Sequence, residues 1–428
     1  MANNLESNTV EDLARIFLEK FESKRCVSKA VNTQLLEGRY TPRTGGEVSV
    51  KRPHDYRSVR TPKGDISGEN SNDIVAGKAT GVVQDYITVP IEWENIEEAL
   101  ELDQLEQILD PAASRAVTDM ETSFAAFAYR NLGLSVGTPG EAVDDWKDVA
   151  YAGSLMDSLG VPMDEFYYLM NPFVATDLAG AQNGLNASDE LVRTAWEKAQ
   201  ISSNFGGMNV MSCNTLGTVY DTPQGATALA DRAGTIASDP TVTYVAHKDT
   251  MIQSIEVTGL TADATIAAGS VVEITGRYYL NQKTRLPFID NTGNLVKFRG
   301  TVTETVVLDG SGEGTLQVAG PAIYEDPGQY NTVDSAPVSG DVITVLGAAG
   351  YTAQPNLFFH KQALGIATVK LPKLNSIDTI ATTEDGISIR VSKYSDGDAN
   401  TQKVRFDILP VHVAFNPFFG GLGYGQGA

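Results

Sequence analysis

The 428-residue chain has the composition of a folded protein and a strongly acidic charge. Hydrophobic residues make up 42% and charged residues 20% of it, which excludes a disordered chain, and its length is enough for two or three domains. The formal net charge of −22 argues against tight binding of nucleic acid by the whole surface, because phosphate contacts require clustered lysine and arginine.

The two cysteines, Cys26 and Cys213, are too few for a disulfide framework or a cysteine-based zinc site. The first residues lack the basic and apolar regions of a signal peptide, and no run of 18 apolar residues is present. We therefore expect a soluble cytoplasmic product without a membrane span.

The first predicted element is an amphipathic helix over residues 9–31, with a capping-box-like start at Thr9 and Asp12. Four apolar residues share one face of it at helical spacing: Val10, Leu13, Phe17 and Phe21. Two interpretations fit this pattern equally well, namely an arm that packs on a neighbouring copy and an ordinary first helix that packs on its own domain.

A long loop is predicted next, because residues 41–80 have little periodicity and a connection of this length is functional or disordered in most proteins. Val48 and Val50 alternate with polar residues, which predicts a partly extended hairpin. Between Arg43 and Lys63, six basic residues stand against two acidic ones (Glu47 and Asp55), a net charge of +4 for that stretch. The basic residues are Arg43, Lys51, Arg52, Arg57, Arg60 and Lys63.

An acidic segment follows the loop. Residues 87–93 alternate as a strand, and residues 95–109 have the pattern of a helix. Counting both ends, residues 92–110 contain eight acidic residues and no basic one, a net charge of −8. This segment is either a solvated acidic face or the partner of the basic loop from a neighbouring copy.

The longest predicted helix covers residues 111–132, and we call it the spine helix. Asp110 is a good N-cap, Pro111 suits the first helical position, and Gly133 is a natural C-terminal cap.

After the spine helix, mixed helix and strand patterns give way to a β-rich region. A helix over residues 146–159 closed by Gly160, a strand over 166–170 and a helix starting at Ser188 are predicted first. Residues 222–347 then predict an inserted all-β domain of about barrel size, with strands at 254–257, 271–279, 295–307, 315–318 and 342–345. The last part predicts two strands, 387–394 and 403–409, that form a hairpin, and then a glycine-rich tail.

No pattern for catalysis, metal binding or cofactor binding is present. The four histidines lie in four different segments without metal-ligand spacing. The tail at residues 420–427 only superficially resembles a dinucleotide fingerprint, and residues 396–407 depart from a calcium loop at the glycine and glutamate positions. We expect no enzyme activity and no catalytic, cofactor-binding or metal-binding residues.

Several stretches resemble the major capsid (coat) proteins of short-tailed enterobacterial double-stranded DNA phages. They are KRPH at residues 51–54, RTPKGDISG at 60–68, GKATG at 77–81, ASDELVRTAW at 187–196, PNLFFHK at 355–361 and DGDANTQKVRFD at 396–407. The resemblance covers nearly the whole chain and is weakest in the β-rich region. It implies an α+β fold of the Hong Kong 97-like type with an inserted barrel-like domain.

The resemblance also implies a domain plan and a set of partners. The segments are an N-terminal arm (1–40), an extended loop (41–86), a peripheral domain with the spine helix (87–185), an axial domain (186–221 and 348–385), the inserted β domain (222–347) and C-terminal strands returning to the peripheral domain (386–428). The implied partners are further copies in pentamers and hexamers, a scaffolding protein, a portal at one vertex, and double-stranded DNA that is enclosed without specific binding. The implied location is the virion, after assembly of a maturing procapsid in the host bacterial cytoplasm.

The candidate functional residues are intersubunit contacts. In this family the extended loop reaches over a neighbouring subunit, so the resemblance favours pairing between the basic loop and the acidic segment. The predicted contacts are Lys51, Arg52, Arg57, Arg60 and Lys63 against Glu94, Glu97, Glu98 and Glu101. The alternatives left open are an encapsulin-like shell protein and a β-rich binding or adhesin protein.

Overall fold

The computed structural model describes residues 5–33, 47–68, 72–94, 105–162, 164–181, 205–326, 328–374, 378–383, 385–396 and 401–426. The α-helices in these ranges are α1 (Leu5–Lys24), α2 (Leu105–Asn131), α3 (Trp146–Leu159), α4 (Pro172–Ala181) and α5 (Tyr244–His247). Short 3-10 helices are formed by Val27–Lys29 and Pro417–Phe419. The predicted helix at Ser188 lies outside the described residues.

The strands follow in chain order. They are β1 (Glu47–Lys51), β2 (Lys78–Val83), β3 (Ile87–Glu94), β4 (Leu134–Val136), β5 (Phe166–Met170), β6 (Asn209–Ser212), β7 (Val219–Tyr220), β8 (Ala233–Ile236), β9 (Ile252–Thr258), β10 (Thr265–Ile266), β11 (Val271–Tyr278), β12 (Lys297–Val302), β13 (Val306–Val307), β14 (Gly314–Ala319), β15 (Val342–Val345), β16 (Thr352–Ala353), β17 (Asn356–His360), β18 (Leu364–Thr368), β19 (Thr379–Thr382), β20 (Ser388–Asp396), β21 (Thr401–Ile408), β22 (Pro410–Ala414) and β23 (Gly420–Gly423). This mixture of helices and sheets confirms the α+β class.

The chain forms two compact units. The first contains Met1–Val50, Thr80–Ala125 and Leu364–Val413, and the second contains Lys51–Ala79, Ala126–Ala363 and Ala414–Ala428.

In the first unit, helix α1 packs against an antiparallel sheet with the strand order β19-β20-β21-β3. The Phe17 ring stacks on the Phe406 ring of β21 with their centroids 4.1 Å apart, and Leu13 and Phe21 are also fully buried. The interpretation of an ordinary packed first helix therefore holds for α1. The predicted hairpin is confirmed by the continuous β20–β21 register from Arg390↔Asp407 to Asp396↔Thr401.

The predicted bounds of the first helix, residues 9–31, are wrong at both ends, since α1 spans Leu5–Lys24. A buried carboxylate explains its C-terminal end. Glu121 Oε2 accepts the Val27 N–H at 2.5 Å, and Glu121 Oε1 accepts the Ser28 N–H at 3.1 Å. Because these amides bind the spine helix, they are not available to continue the ladder of α1.

The predicted start of the spine helix is also wrong. Helix α2 includes Leu105–Asn131, so Pro111 lies inside it instead of at its first position. Leu109, two residues before the proline, is completely buried. Its burial stabilises this turn and offsets the backbone hydrogen bond that Pro111 cannot donate. Asp110 likewise lies within the helix and is not its N-cap, and its carboxylate binds Lys24 Nζ at 2.8 Å.

The second unit contains a five-stranded sheet with the order β4-β23-β17-β5-β6. The first four residues of the glycine-rich tail, strand β23, thus form an interior strand of this sheet. A Cβ added at Gly421 would lie 2.4 Å from the Leu134 carbonyl oxygen, so close packing of the backbone accounts for this glycine. The sheet joins β5 and β17, which the predicted segments place in the peripheral and axial domains. The domain plan itself stays a prediction.

A closed barrel with the strand order β11-β12-β14-β9-β8-β15 occupies residues 233–345 of the same unit. This range lies within the predicted insert of residues 222–347, although strand β8 had not been predicted. Short strands β7 and β16 pair through Val219↔Ala353 and Tyr220↔Thr352 just outside it. The chain therefore enters and leaves the barrel region at one place.

Candidate assembly interface

The basic loop is a long excursion between the neighbouring strands β1 and β2. At its base the Arg52 N–H donates to the Gly77 carbonyl at 2.9 Å. Farther out, Asn72 joins the two sides, because its Oδ1 accepts the Arg57 N–H at 2.9 Å and its Nδ2 donates to the Arg57 carbonyl at 2.8 Å. These contacts confirm the extended hairpin predicted for this region.

The tip of the loop turns at residues 61–68. Gly64 has a φ of 71°, and its N–H donates to the Thr61 carbonyl at 3.4 Å. Asp65 accepts the N–H and the hydroxyl of Ser67 at 3.0 and 2.7 Å, and these hydrogen bonds lower the pKa of the Asp65 carboxyl. Ile66 is 65% exposed beside this charge. The tip thus presents polar and apolar groups together to solvent.

Arg52 differs from the other predicted contact residues because it is buried. Only 9% of the residue is exposed, and its Nε donates to the Lys78 carbonyl at 3.2 Å. Burial lowers the pKa of Arg52 to about 10, while Tyr244 and Asp249 act in the opposite direction. Arg52 is therefore charged at neutral pH and engaged within its own chain.

The remaining basic residues of the prediction are accessible. Lys51, Arg60 and Lys63 are exposed, and Arg57 is partly exposed. On the acidic side, Glu94 ends β3 opposite Thr401, whereas Glu97, Glu98 and Glu101 lie outside the described residues. The pairing between basic loop and acidic segment stays a prediction.

The sequence analysis missed Asp55 as a contact residue of the loop. Its Oδ2 binds Arg285 Nη2 at 2.5 Å across 230 positions of sequence, and both side chains are largely shielded from solvent. The available signal was one acidic residue in the middle of a basic stretch. No local spacing connects it with Arg285, so only the tertiary structure identifies the partner.

Nothing in the described ranges assembles a metal site, since no group of three or more histidine, cysteine or acidic side chains lies close enough to hold an ion. His360 and His412 are buried in separate units, and His54 is exposed on the loop. Across the part of the chain that the structure covers, no helix is long and apolar enough to cross a membrane.

Two comparisons of sequence give concordant results. The family model described as P22 coat protein, gene protein 5, matches residues 1–425. A "Major capsid protein" of Acyrthosiphon pisum secondary endosymbiont phage 1 is 44% identical over 429 aligned positions, which cover 100% of both chains.

Solved structures similar to this chain include two phage proteins of low sequence identity. A structure from Mycobacterium phage Che8 has 11% identity and a TM-score of 0.45, covering 94% of this chain and 92% of that chain. The "Capsid of Ralstonia phage GP4" has 9% identity and a TM-score of 0.44, with the same coverage of the two chains.

Proposed function

This chain belongs to the P22 coat protein family, and we propose that it assembles with a scaffolding protein into a procapsid that matures around double-stranded DNA. It is a structural major capsid protein of a phage, part of the virion, and not an enzyme. The observation that carries this conclusion is the match of one family model to residues 1–425, nearly the whole chain. The encapsulin-like and adhesin alternatives have no comparable support.

The resemblance found in the sequence is confirmed by that membership, and the Hong Kong 97-like fold that it implied accords with it. Pentamers and hexamers of the chain, a portal at one vertex and assembly in the host cytoplasm are the further elements of the proposal. They are supported by the likeness of the chain to phage coat proteins.

We place the contact between neighbouring copies at the basic loop. Lys51, Arg60 and Lys63 are exposed along it, and the acidic segment of residues 92–110 carries the complementary charge. An exposed ion pair contributes about 0–1 kcal/mol. Repetition of such pairs in every copy of a closed shell multiplies their effect on assembly.

The acidic charge suits a container for DNA. A shell that bound the phosphates of DNA tightly would hinder both the packaging of the DNA and its release. With a net charge of −22 the subunit is repelled by DNA except where basic residues cluster, so it encloses the genome without gripping it.

Electron microscopy of the expressed protein, with and without its candidate scaffold gene, tests the proposal. We expect uniform closed shells with the scaffold and aberrant particles or none without it. A monomer or small oligomer under both conditions would contradict a shell-forming function, and uniform shells in both would remove the scaffold from the proposal.

A further inference from the structure

The loop is attached to the barrel region of its own unit from both of its sides. On the outgoing side, Arg52 is buried and interacts electrostatically with Tyr244 and Asp249. Three residues later, Asp55 forms its ion pair with Arg285. Loop residues 51–79 group with residues 126–363 and not with the unit that contains most of β1 and β2.

On the returning side, the contacts run through the backbone. Gln329 Nε2 donates to the Asp73 carbonyl at 2.7 Å, and Lys248 Nζ donates to the Ala76 carbonyl at 3.2 Å. A third bond runs from the loop to the barrel region: the Lys78 N–H donates to Asp249 Oδ1 at 3.1 Å.

A pair of stacked tyrosines lies at the centre of these contacts. The rings of Tyr244 and Tyr330 are nearly parallel, at 9°, with their centroids 3.8 Å apart. Arg52 interacts electrostatically with the first tyrosine and Arg285 with the second. Both arginines therefore belong to one cluster that ties residues 52–55 of the loop to the barrel region.

Gly77 shows how closely the base of the loop packs against the barrel region. A Cβ at this position would lie 2.6 Å from the Lys248 carbonyl oxygen and 3.1 Å from the Tyr244 hydroxyl. Its φ is not positive, so an alanine would be excluded by this close approach and not by backbone strain. Gly68, on the same loop, has no atom within 4 Å of such a Cβ and is the matched control.

We propose that the barrel region is an intramolecular brace that holds the base of the basic loop, so that the loop tip is presented to a neighbouring copy in a preformed arrangement. The assembly part of this inference rests on the proposed function. Preorganisation would promote the contact because the loop then loses less conformational entropy when two copies bind. Arg52, Asp55 and Arg285 act in it as positioning residues and do not touch the neighbour.

The experiment combines hydrogen–deuterium exchange of unassembled full-length subunits with particle yield in the presence of the candidate scaffold. In Gly77→Ala we expect the amides of Arg52 and Lys78 to exchange roughly tenfold faster or more. The added methyl group would displace the base of the loop from the barrel region, so that these amides open to solvent more often. Particle yield should fall several-fold, while Gly68→Ala should match wild type in both measurements.

Unchanged exchange in Gly77→Ala would overturn the brace, and faster exchange with wild-type yield would overturn its role in assembly. Amides of β9 and β14 report whether the barrel itself remains folded. If the amides of β9 and β14 lose protection in Gly77→Ala, the substitution has disturbed the barrel, and Asp55→Asn is used in its place. Loop exchange and particle yield of that variant are then judged by the same two criteria. If wild type forms no particles, the proposed function fails, whereas the exchange data still test the brace.

Discussion

At the scale of single residues, Asp407 shows how a buried charge is accommodated. Its side chain is fully buried, and its two oxygens accept hydrogen bonds from Arg390, Arg405 and Thr88 at 2.6, 2.7 and 2.7 Å. Burial alone would raise the pKa of Asp407, but the hydrogen bonds from the two arginines and the threonine together lower it. The carboxylate connects β3, β20 and β21, which are neighbours in one sheet.

We expect Asp407→Asn to reduce the free energy of unfolding by about 3–5 kcal/mol, because it leaves the buried Arg390 without its anionic partner. The exposed Asp119→Asn is the control and should change stability by less than about 0.5 kcal/mol. Urea denaturation of the unassembled subunit at neutral pH measures both. Equal stabilities for the two variants would contradict this account of the network.

The same network predicts a pH dependence. The pKa of Asp407 is lower in the folded chain than its unfolded value of about 3.9, so the carboxylate contributes stability above that pH and loses it as the pH falls further. The stability difference between wild type and Asp407→Asn should therefore be constant near neutral pH and shrink below about pH 4. Denaturation curves at several pH values follow this difference, and a gap that widened in acid would disprove the assignment.

At the scale of elements, helix α1 is attached to its sheet by aromatic stacking. Phe17 is fully buried against Phe406, so its truncation leaves a cavity that the rigid sheet cannot fill. Residues of the opposite face, such as Glu19, are exposed.

We expect Phe17→Ala to cost about 3–5 kcal/mol of stability and to release the helix from the sheet. The exposed Glu19→Ala should stay within about 0.5 kcal/mol of wild type. Limited proteolysis reports the release of the helix, and denaturant titration reports the energy. Cleavage of both variants at the wild-type rate would show that α1 is held elsewhere.

At the scale of the whole molecule, charge complementarity between copies is the property to test. Arg52 is unsuitable for charge reversal, because a glutamate there would bury an unpaired carboxylate. Arg60→Glu together with Lys63→Glu reverses exposed charges only. We expect the double variant to fold with wild-type stability and to give a several-fold lower particle yield, more so at low salt because screening weakens charge repulsion.

The control for this prediction carries the same charge change on another part of the surface, as Lys283→Glu with Lys373→Glu. Particle yield by sedimentation and the melting temperature of the subunit are measured for both double variants. An equal loss in the two would indicate a general effect of net charge, and no loss in the loop variant would remove the loop from the interface.

Local patterns in the sequence determined much of this protein. Alternation located strand β3 and the β20–β21 hairpin, and helical spacing found the buried face of α1. Such patterns are readable because each depends on neighbours a few residues away. The order of similar stretches along the chain was enough to recognise the family.

Only the tertiary structure decided where α1 ends, that the spine helix continues through Pro111, and which charges of the loop are exposed. Helix α1 ends where Glu121, 94 positions away, accepts the Val27 N–H. The spine helix continues through Pro111, next to the buried Leu109. Arg52 has the same type of side chain as Arg60, yet one is buried and the other exposed. Burial and pairing depend on residues that are distant in sequence, and the local periodicity of the sequence carries no information on those contacts.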